Sequence, residues 1–449
     1  MTTSPACSQH ELARNSGFIM KFKKAGMMSL VLSLALALSG QDSISPKPLT
    51  VEELEKEISS GLGNQAIKLE QCLSLAMENQ PRIQAAMASL RAAQAARNGV
   101  YSLRGIARFS PDLKIRREQA DHGVEVARAV LDQELEDTRY AVRRAYMTAI
   151  YAGIQADRLT RLLKALESAR DGKGIVGLVI EEFAGIGTRL RMAKAKTRNN
   201  LAVAVVGRLK ARFLLLEEMG GKTEIGFLPD PADSTIPKPD LRISLNEFES
   251  LMAENRGERR LAREGREIAA LELEAQRRSL PFRLINNSFA SFAGNNAPPV
   301  PTPERGGEYR PGAINLEMPS NFGGPKSDRV ARAAALAERA ALTETTTRNL
   351  TNLEARVTYL NFRETERRIQ ADKAAITEAR LIFNRVTRQP MTFLDGLLLG
   401  QSVELMVEYE ELRLKRALIA IEMMRETCGA LEVPFIQPSP DEGITTIGD

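Results

Sequence analysis

The chain has 449 residues, no tryptophan, 5% aromatic and 27% charged residues, and a formal net charge of +5. So little aromatic mass argues against ordinary domains packed around bulky side chains, and for long helices meeting along narrow seams of alanine and leucine. The positive charge does not mark a nucleic-acid surface: residues 1–39 carry Arg14, Lys21, Lys23 and Lys24 against Glu11, so the remainder is near +2.

Met20-Lys21-Phe22-Lys23-Lys24 followed by the apolar run from Met27 to Leu38 has the basic start and short hydrophobic core of an export signal. Ala37-Leu38-Ser39 sets small residues before a cleavage site at Gly40, and Met20 is an alternative start that would make residues 1–19 an upstream extension. About twelve apolar residues are too few for a membrane span, which needs roughly 20. Leu38-Ser39-Gly40 has the opening of a bacterial lipobox, but Gln41 stands where the acylated cysteine belongs, so no lipidation is expected. Loss of residues 1–39 leaves Cys72 and Cys428, open to two readings: a disulfide in an oxidising compartment, or two buried free thiols on helices.

Residues 40–66 form an N-terminal linker rich in Ser, Pro and Gly. A helix is predicted from Leu69 to about Arg97, with apolar residues recurring at three and four and a break at Pro81, which suits the first turn of a new helix. Val100 to Ala120 does not read as helix: Gly105 and Pro111 interrupt it, and Leu113 and Ile115 alternate with charges. A long helix follows from Gly123 to about Arg170, then glycines, a turn at Gly185-Ile186-Gly187, and a return helix from Thr188 as N-cap to about Met219.

Residues 230–241 are a proline-marked linker, after which the order recurs: helix Leu245 to Ser279 with Gly257 at its break, an irregular stretch to Lys326, helix Ser327 to about Arg388, a turn at Pro390, and helix Thr392 to Leu431. A shift of 176 lays Leu69 on Leu245, Leu75 on Leu251, Glu78 on Glu254 and Asn79 on Asn255. Arg143-Arg144-Ala145-Tyr146 falls on Arg356-Val357-Thr358-Tyr359, and Gly187-Thr188-Arg189-Leu190 on Met391-Thr392-Phe393-Leu394. The chain is therefore divided into repeat 1 (67–229), repeat 2 (242–431) and a disordered tail (432–449). The expected fold is mainly α with a small β part: two long antiparallel coiled-coil hairpins, one per repeat.

The phrase L-x-x-x-L-x-x-A-x-x-x-N at Leu69, the long Ala-rich helix, R-x-A-Y, the threonine-led return helices and Ile314-Asn315-Leu316-Glu317-Met318-Pro319-Ser320-Asn321-Phe322-Gly323-Gly324 together resemble the TolC-type outer-membrane efflux protein family (outer membrane factors). Ile314, Leu316 and Met318 alternate with Asn315 and Glu317, as lipid-facing and lumen-facing positions of a membrane strand do. The resemblance implies a homotrimer in the outer membrane and periplasm, with a shared β-barrel and a periplasmic α-barrel. It implies no cofactor and no chemistry, and a passive export conduit partnered by a periplasmic adaptor (membrane fusion) protein and an inner-membrane transporter. The tips Gly185, Gly187 and Thr188, and Pro390, Met391, Thr392 and Asp395, match the place where the family closes the channel and docks the adaptor. Asp395 keeps the acidic residue three places after the threonine, where the first tip has Arg191.

One departure is large. Asn79 to Tyr146 spans 67 residues and Asn255 to Tyr359 spans 104, so repeat 1 lacks 37 residues where its strand pair belongs. Val100 to Ala120 is studded with Arg104, Arg108, Lys114, Arg116 and Arg117, and one short strand is the most it offers; an arginine on the lipid face at mid-membrane costs about 2–4 kcal/mol. This truncation leaves an alternative: a degenerate periplasmic coiled-coil protein without pore activity. An enzyme is not expected. His122 is the one histidine after residue 39 and reads as a turn residue, so no triad or histidine metal cluster can be assembled. Gly220-Gly221-Lys222-Thr223 lacks the leading glycine of a phosphate loop and reads as a helix C-cap.

Overall fold

Strand β1 (Gln65–Ile67) leads into helices α1 (Leu69–Asn79) and α2 (Pro81–Tyr101), a 3-10 turn (Gly105–Phe109) and helix α3 (Leu113–Ser168). Helix α4 (Glu181–Glu218) returns along α3, followed by strands β2 (Phe227–Pro229) and β3 (Lys238–Pro239). Then come α5 (Leu245–Asn255), α6 (Gly257–Arg278), α7 (Lys326–Arg388), α8 (Phe393–Glu426) and β4 (Phe435–Ile436). The computed structural model describes residues 65–168, 181–221, 227–229, 235–279, 324–388 and 393–436, all within the unit Leu54–Asp449.

The 56-residue α3 and the 63-residue α7 are the spines; at 1.5 Å per residue they run about 84 and 95 Å. One half of α3 packs on α2 and α6, its middle on α1, and its other half on α4 and α8; α7 packs on α6, α5 and α8 in turn. Two short pairings flank the middle: β1 lies parallel to β2 with Gln65 opposite Phe227, and β3 antiparallel to β4 with Lys238 opposite Ile436. Strands β1, β3 and β4 fall at the end of 40–66, in the 230–241 segment and at the start of 432–449.

The break between the short helices is built the same way twice. Gln80 and Arg256 adopt extended backbone (ψ 118° and 126°) before Pro81 and Gly257 open the next helix. Proline loses nothing at that position, where its missing N–H would have no helical partner. Gly257 is there for room: a Cβ would stand 2.6 Å from Gln133 Oε1 and 3.3 Å from the Ala129 carbonyl oxygen on α3. Around each break the same contacts recur. Tyr146 donates its hydroxyl to the Ile67 carbonyl (3.1 Å) and Tyr359 to that of Ile243 (3.3 Å). The Asn79 amide donates to Leu75 O (3.0 Å) and that of Asn255 to Leu251 O (2.9 Å). Cys72 and Ala76 of α1, and Phe248 and Met252 of α5, are fully buried at corresponding positions. Cys72 and Cys428 are free thiols, each pushed up to about 12 by burial.

Both return helices end in paired left-handed residues. The Gly221 N–H reaches Leu216 O (3.1 Å) and that of Gly220 reaches Glu217 O (2.9 Å), while Gly429 reaches Met424 O and Cys428 reaches Arg425 O, both at 2.9 Å. This Schellman cap satisfies the last carbonyls. It ends α8 at Glu426, short of the expected Leu431, and makes Gly220-Gly221 a helix stop rather than a phosphate cradle.

Three expectations are corrected. Val100 to Ala120 holds no strand: α2 continues to Tyr101, a 3-10 turn follows, and α3 begins at Leu113 instead of Gly123. The pattern misled because polar side chains fill the seam; Leu113, Arg116 and Ala120, with Ile115 and Gln119, are buried at helical spacing. The return helix begins at Glu181, not Thr188, so Gly185, Gly187 and Thr188 lie inside α4. Two glycines cost about 1 kcal/mol each relative to alanine without ending a helix. The rest of the hairpin connection, 169–180, lies outside the described residues.

Gly220 (φ 94°) abuts α1, where a Cβ would meet Asn79 O at 2.7 Å, whereas Gly221 (φ 63°) faces open space. Gly221→Ala should cost about 1–2 kcal/mol from left-handed backbone alone, and Gly220→Ala clearly more. Urea unfolding of both variants checks this; equal losses would refute the close approach.

Candidate functional site

The two hairpins, α3–α4 and α7–α8, turn at the same end of the molecule. Leu162 and Leu166 pack there with Ile369, Ile376, Val403 and Met406. Lys196 Nζ meets Glu404 across the hairpins at 2.5 Å; both are exposed, so the pair contributes little. Arg158, by contrast, is buried, donating to Met406 O (3.3 Å) and Glu410 (3.4 Å). Of the expected tip residues, Gly185, Gly187 and Thr188 lie in the opening turns of α4 and Asp395 is the third residue of α8. Pro390, Met391 and Thr392 lie outside the described residues, as do the expected strand positions Ile314, Leu316 and Met318.

The interior features that sequence patterning missed are ionic. At the second short-helix break, Arg256 is 2% exposed and donates to Glu258 (3.0 Å) and Glu354 (2.5 Å). Next to it Arg425 joins Asp137 on α3 (3.1 Å) and Glu422. Thr358 donates to Glu426 Oε1 (3.0 Å), while Glu426 Oε2 has no hydrogen-bond partner among the described residues. Burial pushes the Glu426 carboxyl up to about 7. Burial also works upward on Glu258, but Arg256 and Arg425 outweigh it and hold that carboxyl below the usual range.

A second cluster braces α3 on α6. Arg116 binds Asp112 (3.2 Å), Gln119 (2.8 Å) and Glu272, and Gln119 donates to Ile268 O (3.1 Å) and Glu272 (3.0 Å). Glu272 is fully buried, and Arg116 with two glutamine amides overcomes desolvation to hold its carboxyl low. The one available signal was an arginine or glutamate recurring at a seam position, which sequence alone does not separate from a solvated face.

His122 hydrogen-bonds Glu264 (2.6 Å) between α3 and α6. Among the described residues no cluster of His, Cys, Asp or Glu is arranged to hold a metal, and no helix is long and apolar enough to cross a membrane. What the surface does show is two apolar stripes. Met192, Val203 and Leu214 are exposed at intervals of eleven on α4, and Leu342, Leu353, Val357 and Leu360 line one side of α7. An eleven-residue interval is three turns, so each set shares a narrow face.

Helical hairpins of this length, set beside paired short helices and a small β element, define a class of fold. No family model matches the chain, and no curated protein does. Solved structures do. The open state of the Neisseria gonorrhoeae MtrE outer membrane channel is 13% identical, with a TM-score of 0.57 over 81% of this chain and 90% of that one. CusC, whose structures describe conformational changes accompanying folding and transmembrane channel formation, is 12% identical with a TM-score of 0.56 over 86% and 98%. The outer membrane protein VceC of Vibrio cholerae is 14% identical with a TM-score of 0.54 over 81% and 97%. The chain has the TolC-type fold of these outer-membrane channels.

Glu426 also sets a pH dependence. The folded state holds its proton more tightly than the unfolded chain, so this stabilisation is complete below the ordinary glutamate range and is lost as pH rises through about 7. Glu426→Gln should remove that loss, stabilising the protein at pH 8 relative to the parent by on the order of 1–3 kcal/mol and having little effect at pH 4. Thermal unfolding across this range tests it; a parallel offset at every pH would contradict the assignment.

Proposed function

We propose that this protein is the outer-membrane channel component of a tripartite efflux or type I secretion system. In this reading it is a non-enzymatic homotrimer that conducts cargo passively across periplasm and outer membrane. The observation that carries the reading is the match of the whole hairpin framework to outer-membrane channels, 81% of this chain over 90% of MtrE. The exposed stripes on α4 and α7 support the assembly: an isolated protomer would leave apolar rows in water that neighbouring copies would bury. Residues 1–39 direct export without lipidation. The stretch between α6 and α7 of repeat 2, with Ile314, Leu316 and Met318 facing lipid, supplies the membrane strand pair. The hairpin ends, including Gly185, Gly187, Thr188, Pro390, Met391, Thr392 and Asp395, meet the adaptor protein, which links the channel to an inner-membrane transporter.

The second reading, a periplasmic coiled-coil protein without a pore, is favoured by one observation: between α2 and α3, where the resemblance implies a strand pair, repeat 1 has a 3-10 turn. With one strand pair per protomer a trimer has six strands, below the eight of the smallest common barrels. Heat-modifiable trimers in outer-membrane fractions, with single-channel conductance in planar bilayers, are expected if the protein is a channel; a soluble periplasmic monomer would sink that reading. Leu353→Glu combined with Leu360→Glu should abolish the trimer while leaving helical circular dichroism unchanged. Persistence of the trimer would show that the α7 stripe is not its interface.

A further inference from the structure

The helical turn that replaces the strands of repeat 1 has a chemistry of its own. Gly105 (φ 66°) starts it and Phe109, 81% exposed, is its last residue. On the turn and at the start of α3, Arg104, Arg108 and Lys114 are exposed and have no ion-pair partner among the described residues. Tyr101, the last residue of α2, has the guanidiniums of Arg97 (4.9 Å) and Arg117 (5.2 Å) against its ring, and its hydroxyl donates to Asp121 (2.7 Å).

The turn is also rigidly based. Leu103 packs on the buried Val100, Leu113 and Ala120, and Ser110 and Arg116 both bind Asp112. Arg116 and Gln119 tie this base to Glu272 and the Ile268 carbonyl on α6. Glu272 stands six residues before Arg278, the last residue of α6, about 9 Å along the helix. The turn therefore sits at the end of the molecule from which the chain leaves toward residues 281–319.

We propose that residues 101–114 form an interfacial foot. Phe109 and Tyr101 enter the headgroup layer on the periplasmic face of the outer membrane, and Arg104, Arg108 and Lys114 contact the phosphates of anionic phospholipids. Aromatic side chains favour that layer, and basic ones beside it are drawn to anionic headgroups. A single exposed ring on a turn that carries basic residues is too small an apolar area for a stable contact with a second copy, which calls for about 1,000 Å² or more. Anionic lipid matches its charge. The foot would give repeat 1 a membrane contact without spanning strands, and its placement rests on the channel reading above.

The chain contains no tryptophan, so one introduced residue reports alone. Full-length Phe109→Trp protein, reconstituted in equal parts phosphatidylethanolamine and phosphatidylglycerol, should show blue-shifted emission and stronger quenching by headgroup-level nitroxide lipids than by nitroxides deep in the acyl chains. Adding Arg104→Glu and Arg108→Glu, or using phosphatidylcholine alone, should abolish most of that shallow quenching. A separate Leu316→Trp protein reports the strand and should be quenched by the deep probes. If the deep probes quench the Leu316→Trp protein while the Phe109→Trp emission stays red and unquenched, the foot is refuted and the channel reading stands. Blue-shifted Phe109→Trp emission that no lipid probe quenches would mean that a second copy covers it, which also refutes the foot. Quenching of the Phe109→Trp protein alone would uphold the foot and sink the strand assignment; quenching of neither sinks both.

Discussion

Helices α3 and α7 are longer than any single partner, and the whole arrangement depends on how each passes from one partner to the next. The transfer happens at the short-helix breaks, Gln80–Pro81 and Arg256–Gly257, where the chain takes one extended residue and restarts. The break aims α2 and α6 at one half of the spines, while α4 and α8 occupy the other. A tyrosine on each spine reaches the carbonyl just before α1 or α5, fixing the height of each break. The Schellman caps of α4 and α8 then stop the return helices at that same level. Backbone stops and two hydroxyls, rather than a large core, set the register.

The two halves fill their seams differently. The first break is apolar, with Cys72, Ala76, Tyr146 and Leu215 in one cluster. The second also packs Phe248 and Phe362, but beside them lie Arg256, Arg425 and their carboxylates. In a chain poor in aromatics, a guanidinium supplies volume and a planar face as well as charge. Such clusters are weak evidence of net stability, because desolvation offsets much of the attraction; removing one partner strands the other. Here Arg256 reaches Glu354 on α7 and Arg425 reaches Asp137 on α3, so the cluster adds ties between helices at the second break.

Functionally the asymmetry concentrates at one end. The hairpin ends pack closely against one another, and Arg158 and Glu410 lock them from inside. At the opposite end repeat 1 finishes in a basic helical turn and repeat 2 runs on for 47 residues between Arg278 and Lys326. The fold is that of outer-membrane channels, with a 3-10 turn between α2 and α3 of repeat 1.

Much of the helical framework was legible because it is periodic. Pro81 and Gly257 marked the breaks, and the recurring Asn79/Asn255 and Tyr146/Tyr359 marked positions that make the same hydrogen bonds. Local chemistry misled where tertiary contacts outweighed it: Thr188 had the residue type of a cap, and Leu113 and Ile115 the alternation of a strand. Both lie in helix, the second because Arg116 and Gln119 found Glu272 on a helix more than a hundred residues away. The sequence by itself determined where helices run and turn back, since spacing and backbone breakers act over a few residues. Only the tertiary structure decided which polar residues are interior and how the truncated repeat closes. A buried charge is tolerable only beside its partner, and that partner is known only once the helices are packed.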